Sequence, residues 1–304
     1  MGAKVGGGLP PRAVLVTRET DYERLLAVHA TREQARFFLK TRGQDLEEVA
    51  ARHAAFGTVL GQVRHAIPDS WRVANVGRAD LDRFLFAPED VVIAVGQDGL
   101  VANLAKYLAG QPVVGVNPAP DLNEGVLAAF RAEAVASLLP ACAAGAAGLE
   151  RRTMAEARLD DGQTLTALNE IFIGHASHQS ARYELDLAGA RERQSSSGLI
   201  VATGTGASGW ARSILTATHH EVRLGPADRA LAMLVREAWP SVATGASLTC
   251  GPVDDGHPLT VTSQMNEGGV VFADGIEQDR LEFGWGRRLT VGVAAQTLNL
   301  VRGA

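Results

Sequence analysis

The sequence is poor in cysteine, lacks long apolar runs and carries no excess of positive charge. Cys142 and Cys250 are its only cysteines. They lie far apart without a Cys-x-x-Cys motif, which excludes a thiolate zinc site and argues against a disulfide scaffold. No apolar run approaches the roughly 18 residues of a membrane-spanning helix, and the Gly- and Pro-rich residues 1–11 lack the apolar core of a signal peptide. The scarcity of cysteine predicts a reducing, cytoplasmic location, and the lack of an apolar span predicts no membrane partner. With a formal net charge of -5, we expect no general attraction to nucleic acid.

The composition is that of a globular protein with enough apolar material for a core. Hydrophobic residues make up 46% of the 304 residues and charged residues 21%, which fits two domains or one large one. In the first half, strand-like runs lie at 13–17, 71–76, 91–95 and 112–116. Helical segments alternate with them. Three of these helices are capped at Thr20 or Asp21, at Thr31 and at Asp45, and three more span 79–86, 101–108 and 124–139. This alternation predicts a doubly wound α/β domain over 13–140, after a flexible tail at 1–12.

The second half contains many strand-like runs and few helical ones. Its predicted strands lie at 149–159, 165–173, 182–187, 199–202, 247–249, 259–262, 269–272, 280–283 and 288–293, and its predicted helices at 207–218 and 228–237. Successive strands without alternating helices predict a mostly antiparallel, β-sandwich-like domain over 141–296. The last segment, 297–304, is expected to return to the first domain.

Asp98 stands between two glycines at the end of the most apolar predicted strand. Val91–Val95 leads into Gly96-Gln97-Asp98-Gly99, and helical spacing resumes at Val101. A carboxylate at the carboxyl end of a buried strand lies where α/β proteins bind ligands. Glycines there let a phosphate group approach backbone N–H groups, and the helix N-terminus favours an anion. A plain Asp-Gly turn between strand and helix explains the same residues.

An amide and a carboxylate, Asn169-Glu170, interrupt an otherwise apolar run between Leu168 and Ile171. Such a pair at a strand start can receive ribose hydroxyls, and the amide can also recognise an adenine edge. The alternative, which this pair alone favours, is a polar pair on an edge strand.

Small hydroxyl residues and glycines flank the predicted strand at 199–202. Ser195-Ser196-Ser197-Gly198 precedes it, and Thr203-Gly204-Thr205-Gly206-Ala207-Ser208-Gly209-Trp210 follows. The second segment can form a backbone cradle whose N–H groups point at a ligand, although no lysine follows as in a P-loop; a flexible turn is the alternative. Asp274-Gly275, after another apolar run, is by itself most typical of a hairpin turn.

Taken in order, these motifs resemble those of the NAD kinase family, and specifically its mitochondrial-type branch. That family carries a Gly-Gly-Asp-Gly-Thr loop, an Asn-Glu pair, a Ser-Gly-Leu strand leading into a Thr-Gly-Thr-Gly turn with a following Trp, and a late Asp-Gly. The matching positions are Gly96–Leu100, Asn169-Glu170, Ser197–Trp210 and Asp274-Gly275. The match extends to Val114–Asn117, Asn169–Gly174 and Ser180–Tyr183, and covers nearly the whole chain from Val14 onward.

The resemblance implies an NAD kinase-like fold, with a site in the cleft between an α/β nucleotide-binding domain and a β-rich substrate domain. It implies a homodimeric kinase that uses ATP and Mg²⁺ to phosphorylate the 2′-hydroxyl of the adenosine ribose of NAD or NADH. Asp98 would be the catalytic residue, either as the base for that hydroxyl or as a metal ligand. The nucleotide- and substrate-binding residues would be Gly96, Gln97, Gly99, Asn117, Asn169, Glu170, Ser197, Thr203, Thr205, Gly206, Ser208, Trp210 and Asp274.

The sequence departs from the family pattern beside Asp98. Gln97 replaces the second glycine of the loop and Leu100 replaces its threonine. We expect both positions to face the phosphates of the donor, so that Gln97 narrows the space and Leu100 removes a hydroxyl. The departures leave open a related kinase for another nucleoside, sugar or lipid hydroxyl, and a catalytically weak dinucleotide-binding regulator.

Overall fold

The computed structural model describes residues 9–303, so most of the tail predicted at 1–12 lies outside the described residues. The chain divides into two compact units. Unit 1 contains residues 9–107, 111–149 and 300–303, and unit 2 contains residues 108–110 and 150–299. Within the described residues, no helix is both long and apolar enough to span a membrane.

Unit 1 is built on a parallel sheet. Its strands are β1 (Arg12–Thr17), β2 (Arg72–Gly77), β3 (Asp90–Val95) and β4 (Pro112–Val116), in the order β2-β1-β3-β4. Every residue of β3 is buried, because the sheet is covered on both faces, as its uninterrupted apolar sequence predicts. The α/β character predicted for the first half is confirmed.

Five α-helices belong to this unit: α1 (Asp21–His29), α2 (Arg32–Lys40), α3 (Leu46–Ala66), α4 (Asp98–Ala105) and α5 (Val135–Ala143). Thr20, Thr31 and Asp45 cap the first three by accepting hydrogen bonds from backbone N–H groups of the first turn. Residues of α3 and α5 pack against alternate residues of β1, β3 and β4 in one apolar core.

Two predicted helices of unit 1 differ in the structure. The segment 79–86 forms only a short 3-10 helix over Arg78–Arg83; Leu85 beyond it is 87% exposed, so a longer helix has no apolar face to bury. The segment 124–139 becomes a 3-10 turn at Ala132–Ala134 followed by α5, and Pro140 lies inside α5. Gly125, at φ +66°, is incompatible with a helix starting at residue 124.

Unit 2 contains two antiparallel sheets. One has the order β12-β11-β10-β7-β14-β15; the other includes β16-β13-β8-β9, with β5 paired to β16 and to β6. The strands are β5 (Leu149–Leu159), β6 (Thr164–Ala167), β7 (Glu170–His175), β8 (Ala181–Leu187), β9 (Ala190–Ser196), β10 (Leu199–Ala202), β11 (Ala230–Val235), β12 (Cys250–Asp254), β13 (Leu259–Ser263), β14 (Gly269–Ala273), β15 (Ile276–Glu282) and β16 (Arg288–Val301).

Both sheets contribute alternate residues to one apolar core, which confirms the β-sandwich-like character of the second half. Tyr183 of β8, Ile173 of β7 and Val201 of β10 are fully buried in it. The opposite face of the β7–β10 sheet is covered by α6 (Trp210–Thr218), whose Trp210 and Ala211 pack with Phe172.

One element type and several strand boundaries in unit 2 were predicted wrongly. The segment 228–237 is strand β11 rather than a helix, because its apolar run Leu231–Val235 is buried on both faces between β10 and β12. The run 165–173 breaks into β6 and β7 at Leu168-Asn169, and the strand predicted at 247–249 is displaced to β12. The final segments form one long strand, β16, whose last residues belong to unit 1.

Candidate functional site

Asp98 lies at the first position of α4, directly after the buried strand β3. Its side chain is half-buried and accepts three backbone hydrogen bonds. Oδ2 accepts from the N–H of Val126 at 2.8 Å, and Oδ1 accepts from the N–H groups of Leu127 and Ala128, both at 2.9 Å. A carboxylate oxygen accepts about two hydrogen bonds, so Oδ1 is saturated and Oδ2 retains one acceptor position.

The two departures from the family loop lie in different surroundings. Gln97 is exposed, has an ordinary φ of -83°, and donates from Nε2 to Asn123 Oδ1 at 3.3 Å. Leu100 is only 2% exposed and packs over Gly96. The expectation that Leu100 faces a ligand is therefore wrong, because its side chain points into the core. Gly99 is exposed, with open space where a side chain would be.

Asn117 supports the turn that holds Asp98. Its Nδ2 donates to the carbonyl of Asn123 at 2.8 Å, and its Oδ1 accepts from the N–H of Ala119 at 3.0 Å. The side chain of Asn117 is 5% exposed, so both of its polar atoms are used inside the protein. The structure places Asn117 behind the Asp98 loop, where it shapes the turn.

In unit 2, Asp274 fixes the backbone of the Asn169-Glu170 pair. Its carboxylate accepts from the N–H of Leu168 at 3.0 Å and of Asn169 at 2.7 Å, and more weakly from that of Glu170 at 3.4 Å. Asp274 itself has a positive φ of +51°, which allows the turn after β14 to bring its side chain back to these amides. Asp274 is therefore a positioning residue for Asn169 and Glu170.

Glu170 is buried at the start of β7, beside Asp274. Burial in apolar surroundings, followed by the negative charge of Asp274, raises the pKa of Glu170 to about 7. Glu170 thus changes its charge near neutral pH, which is characteristic of groups that exchange protons with, or hydrogen-bond to, a ligand.

The Thr203–Gly206 turn packs against the same pair. Thr203 is fully buried; its hydroxyl donates to the Leu168 carbonyl and accepts from the N–H groups of Thr205 and Gly206 at 3.1 and 3.2 Å. Gly206 approaches Asn169 so closely that a Cβ atom would lie 2.1 Å from the Asn169 carbonyl oxygen. The turn therefore requires glycine at this position and forms an ordered structure around residues 168–170.

Arg152 of β5 is a residue of this region that the sequence analysis missed. Its side chain is almost fully buried, donates from Nη1 to Thr205 Oγ1 at 3.1 Å and lies 3.2 Å from a Glu150 carboxylate oxygen. A lone arginine in a predicted strand gives no local signal of such a role. Its guanidinium holds the Thr205 hydroxyl in place.

Two predicted residues, Ser197 and Trp210, are not brought to this turn, and a third, Ser208, lies at its exposed end. Ser197 is exposed and precedes β10, whereas Thr203 follows it, so the length of the strand separates them. Trp210 stacks on Phe172 in the apolar layer beneath α6, with its ring centroid 5.8 Å from that of Phe172. Ser208 is exposed on the turn and donates to the Thr205 carbonyl at 3.1 Å.

Residues 9–303 contain no preformed metal site of several protein ligands. No group of three or more His, Cys, Asp or Glu side chains in this range is placed to hold a metal ion. Asp98, with one acceptor position left on Oδ2, is the one candidate ligand that the sequence analysis named.

The chain is similar to known proteins in sequence and in fold. No protein-family model matches the chain. It is 26% identical over 260 residues to NAD kinase 2, mitochondrial, of Rattus norvegicus, covering 69% of this chain and 61% of the relative. It is 28% identical over 269 residues to the Homo sapiens protein of that name, covering 70% and 60%. The chain therefore matches less than two thirds of the length of either relative.

Two solved structures share the fold. Yeast NADH kinase complexed with NADH superposes with a TM-score of 0.58 at 15% identity, covering 97% of this chain and 84% of that one. An NAD kinase from Archaeoglobus fulgidus in complex with ATP gives a TM-score of 0.58 at 18% identity, covering 96% and 93%. In the order of its motifs, in sequence and in fold, the chain resembles the NAD kinase family.

Proposed function

We propose that the chain is a kinase that transfers a phosphoryl group from ATP to the 2′-hydroxyl of the adenosine ribose of NAD, giving NADP. The observation that carries this proposal is Asp98, held at the carboxyl end of β3 and the N-terminus of α4 by three backbone N–H groups. The relatives named NAD kinase, and the solved structures holding NADH and ATP, support the choice of substrates.

In this proposal Asp98 accepts the hydroxyl proton at Oδ2, the oxygen with an acceptor position to spare. The three N–H donors fix the carboxylate, so it needs no reorganisation when the hydroxyl attacks the donor. Phosphoryl transfer depends more on positioning and charge neutralisation than on a strong base. A carboxylate whose direction is fixed suits that requirement.

Unit 2 supplies the groups that we assign to the dinucleotide. Asn169 presents its side-chain amide from a backbone fixed by Asp274 and the Thr203–Gly206 turn. We propose that Asn169 and Glu170 hydrogen-bond to the ribose and the base, and that Thr205, positioned by Arg152, lines the same site. Binding at atoms that are already held in place costs little ordering entropy.

The chain fits a magnesium ion that is held mainly by the nucleotide. Mg²⁺ in kinases is bound by one or two carboxylates together with substrate phosphates and water. The single free acceptor position on Asp98 Oδ2 would serve either as base or as a ligand of such an ion. When bound, the ion neutralises phosphate charge.

The deciding experiment presents the purified protein, ATP and Mg²⁺ with NAD, NADH and a panel of nucleosides, sugars and lipid alcohols, and detects added phosphate by mass spectrometry. We expect NAD or NADH to gain one phosphate at the adenosine ribose. Phosphate on another hydroxyl would support the related kinase that Gln97 suggests. Dinucleotide binding without any transfer would support the regulator.

We also propose a homodimer, as the resemblance suggests, and a cytoplasmic location, as the scarcity of cysteine suggests. The rat and human relatives are named mitochondrial, so imaging of a tagged full-length protein is the test of location. Sedimentation tests the dimer: a single species at the monomer mass of 32.0 kDa across micromolar concentrations would contradict it.

A further inference from the structure

The peptide group between Val126 and Leu127 contacts Asp98 at one end and Arg302 at the other. Its N–H, which belongs to Leu127, donates to Asp98 Oδ1 at 2.9 Å. Its carbonyl, which belongs to Val126, accepts a hydrogen bond from Arg302 Nη1 at 3.3 Å. The N–H of Val126 donates to the other carboxylate oxygen of Asp98 at 2.8 Å. One peptide group therefore joins a guanidinium to the carboxylate of the candidate site.

This arrangement couples the two charged side chains. A trans peptide group is planar, and its N–H and C=O point in opposite directions, so a donor at the oxygen and an acceptor at the hydrogen lie on opposite sides of it. Hydrogen bonds in such a chain polarise one another by roughly 10–30% per bond, and bonds to an ionised group are the stronger ones. The guanidinium of Arg302 therefore strengthens the bond from Leu127 to Asp98.

The main chain at Arg302 is fixed, so the side chain reaches Val126 from an anchored position. Val301, the last residue of β16, is 1% exposed and packs in the apolar core of unit 1. The N–H of Arg302 donates to the carbonyl of Gly148 at 2.9 Å. The side chain is half-buried, which reduces the screening of its charge by salt.

Val126 is the residue at which the segment bound to Asp98 leaves the core. Leu127 is 4% exposed, and its carbonyl oxygen lies so close to Gly115 of β4 that a Cβ atom there would be 2.1 Å from it. Val126, by contrast, is 49% exposed, so packing fixes it less than its neighbour. The bond from Arg302 to its carbonyl restrains the side of the peptide group that the core does not hold.

We propose that Arg302 is a positioning residue for Asp98 and acts through the Val126–Leu127 peptide group. It fixes the direction of the N–H groups that bind the carboxylate, so that Oδ2 presents its remaining acceptor position to the reacting hydroxyl. The reaction rests on the proposed function, whereas the effect of Arg302 on the backbone of residues 126–128 does not. Arg302 thus acts on turnover and leaves the affinity for both substrates unchanged.

The first test is steady-state kinetics with NAD and ATP on Arg302→Met, whose side chain remains long but cannot donate a hydrogen bond. Arg72→Met is the matched control, because Arg72 also donates to a backbone carbonyl, that of Pro10, at the amino end of β2. We expect kcat to fall roughly three- to tenfold in Arg302→Met, with both KM values within twofold of the parent. Arg302→Lys, which restores a charged donor, should recover kcat to within twofold. Melting curves verify folding.

The second test measures the backbone directly and needs no activity. Hydrogen–deuterium exchange at the amides of residues 126–128 should be roughly three- to tenfold faster in Arg302→Met than in the parent and unchanged in Arg72→Met. Faster exchange together with the fall in kcat supports the inference.

Three results overturn the inference: unchanged exchange, a kcat of Arg302→Met within twofold of the parent, or an Arg302→Lys variant no more active than Arg302→Met. A rise in either KM without a fall in kcat also overturns it, because a positioning residue for Asp98 acts on turnover. A parent that does not phosphorylate NAD overturns the proposed function instead, and the exchange rates then decide alone whether Arg302 holds the segment that binds Asp98.

Discussion

Replacement of Asp98 by asparagine distinguishes a catalytic base from a residue that only holds the backbone of residues 126–128 in place. The side chain accepts two N–H groups at Oδ1 and one at Oδ2, and an amide nitrogen cannot accept any. The least costly orientation keeps the carbonyl oxygen toward Leu127 and Ala128 and turns the amide toward Val126. One hydrogen bond is lost, and two donors face each other.

The expected loss of folding stability is small and the expected loss of kcat is large, so the two effects can be measured separately. An unsatisfied N–H costs about 1–3 kcal/mol, which lowers the melting temperature by roughly 2–4 °C per kcal/mol for units of this size. Loss of the acceptor at Oδ2 lowers kcat by about 10²–10⁴-fold if Asp98 takes the hydroxyl proton. The Asp98→Asn variant should therefore melt earlier yet remain folded at 25 °C with little activity.

The assay measures kcat well below the melting transition, together with thermal unfolding and calorimetric NAD affinity. Asp69→Asn, at an exposed position with no side-chain partner among the described residues, is the matched control for the change of charge. A folded Asp98→Asn protein with kcat within a few-fold of the parent would remove Asp98 from the chemistry. An unchanged melting temperature would refute the stability contribution assigned to the three N–H bonds.

Further predictions concern a partly buried ion pair, a titrating carboxyl and the altered loop. Asp90→Ala should destabilise unit 1 by about 1–3 kcal/mol in denaturant titration, because it leaves the N–H of Ala87 and the guanidinium of Arg12 without this acceptor. The carboxyl group of Glu170 has a pKa of about 7 in the folded protein, against 4.5 in the unfolded chain. The free energy of unfolding should therefore fall by on the order of 3 kcal/mol as the pH rises through the window between these two values. Glu170→Gln should abolish this dependence, whereas Glu267→Gln, at an exposed position, should not. Gln97→Gly should lower the KM for ATP, while Leu100→Thr should mainly lower the melting temperature by opening a core cavity; improved ATP use by Leu100→Thr alone would contradict its assignment to the core.

The sequence predicted correctly those helices whose ends depend on hydrogen bonds between residues that are close in the chain. Thr20 and Asp45 cap helices because their side chains bond to N–H groups two or three residues away. Strand β11 was predicted as a helix because Leu231–Val235 is an apolar run whose spacing suits both structures, and only pairing with β10 and β12 decides between them.

The motifs of the candidate site were predicted, but not the contacts that organise them. The helix predicted at 124–139 failed because the N–H groups of residues 126–128 bind Asp98, some thirty positions earlier. Arg152 was missed because its partner, Thr205, lies far along the chain. Ser197 was grouped with Thr203 by proximity in sequence, although β10 separates them.

The bond from the Asn169 N–H to Asp274 spans 105 positions, and this has a consequence for synthesis of the protein. During synthesis the ribosome adds the residues of β6 and β7 long before Asp274. The nascent chain therefore contains residues 168–170 before the carboxylate that fixes their backbone is present. Contacts of such separation form late, because a long loop must close first. A chain arrested before β14 therefore carries the Asn-Glu sequence without its native geometry, and premature products should not compete for dinucleotide.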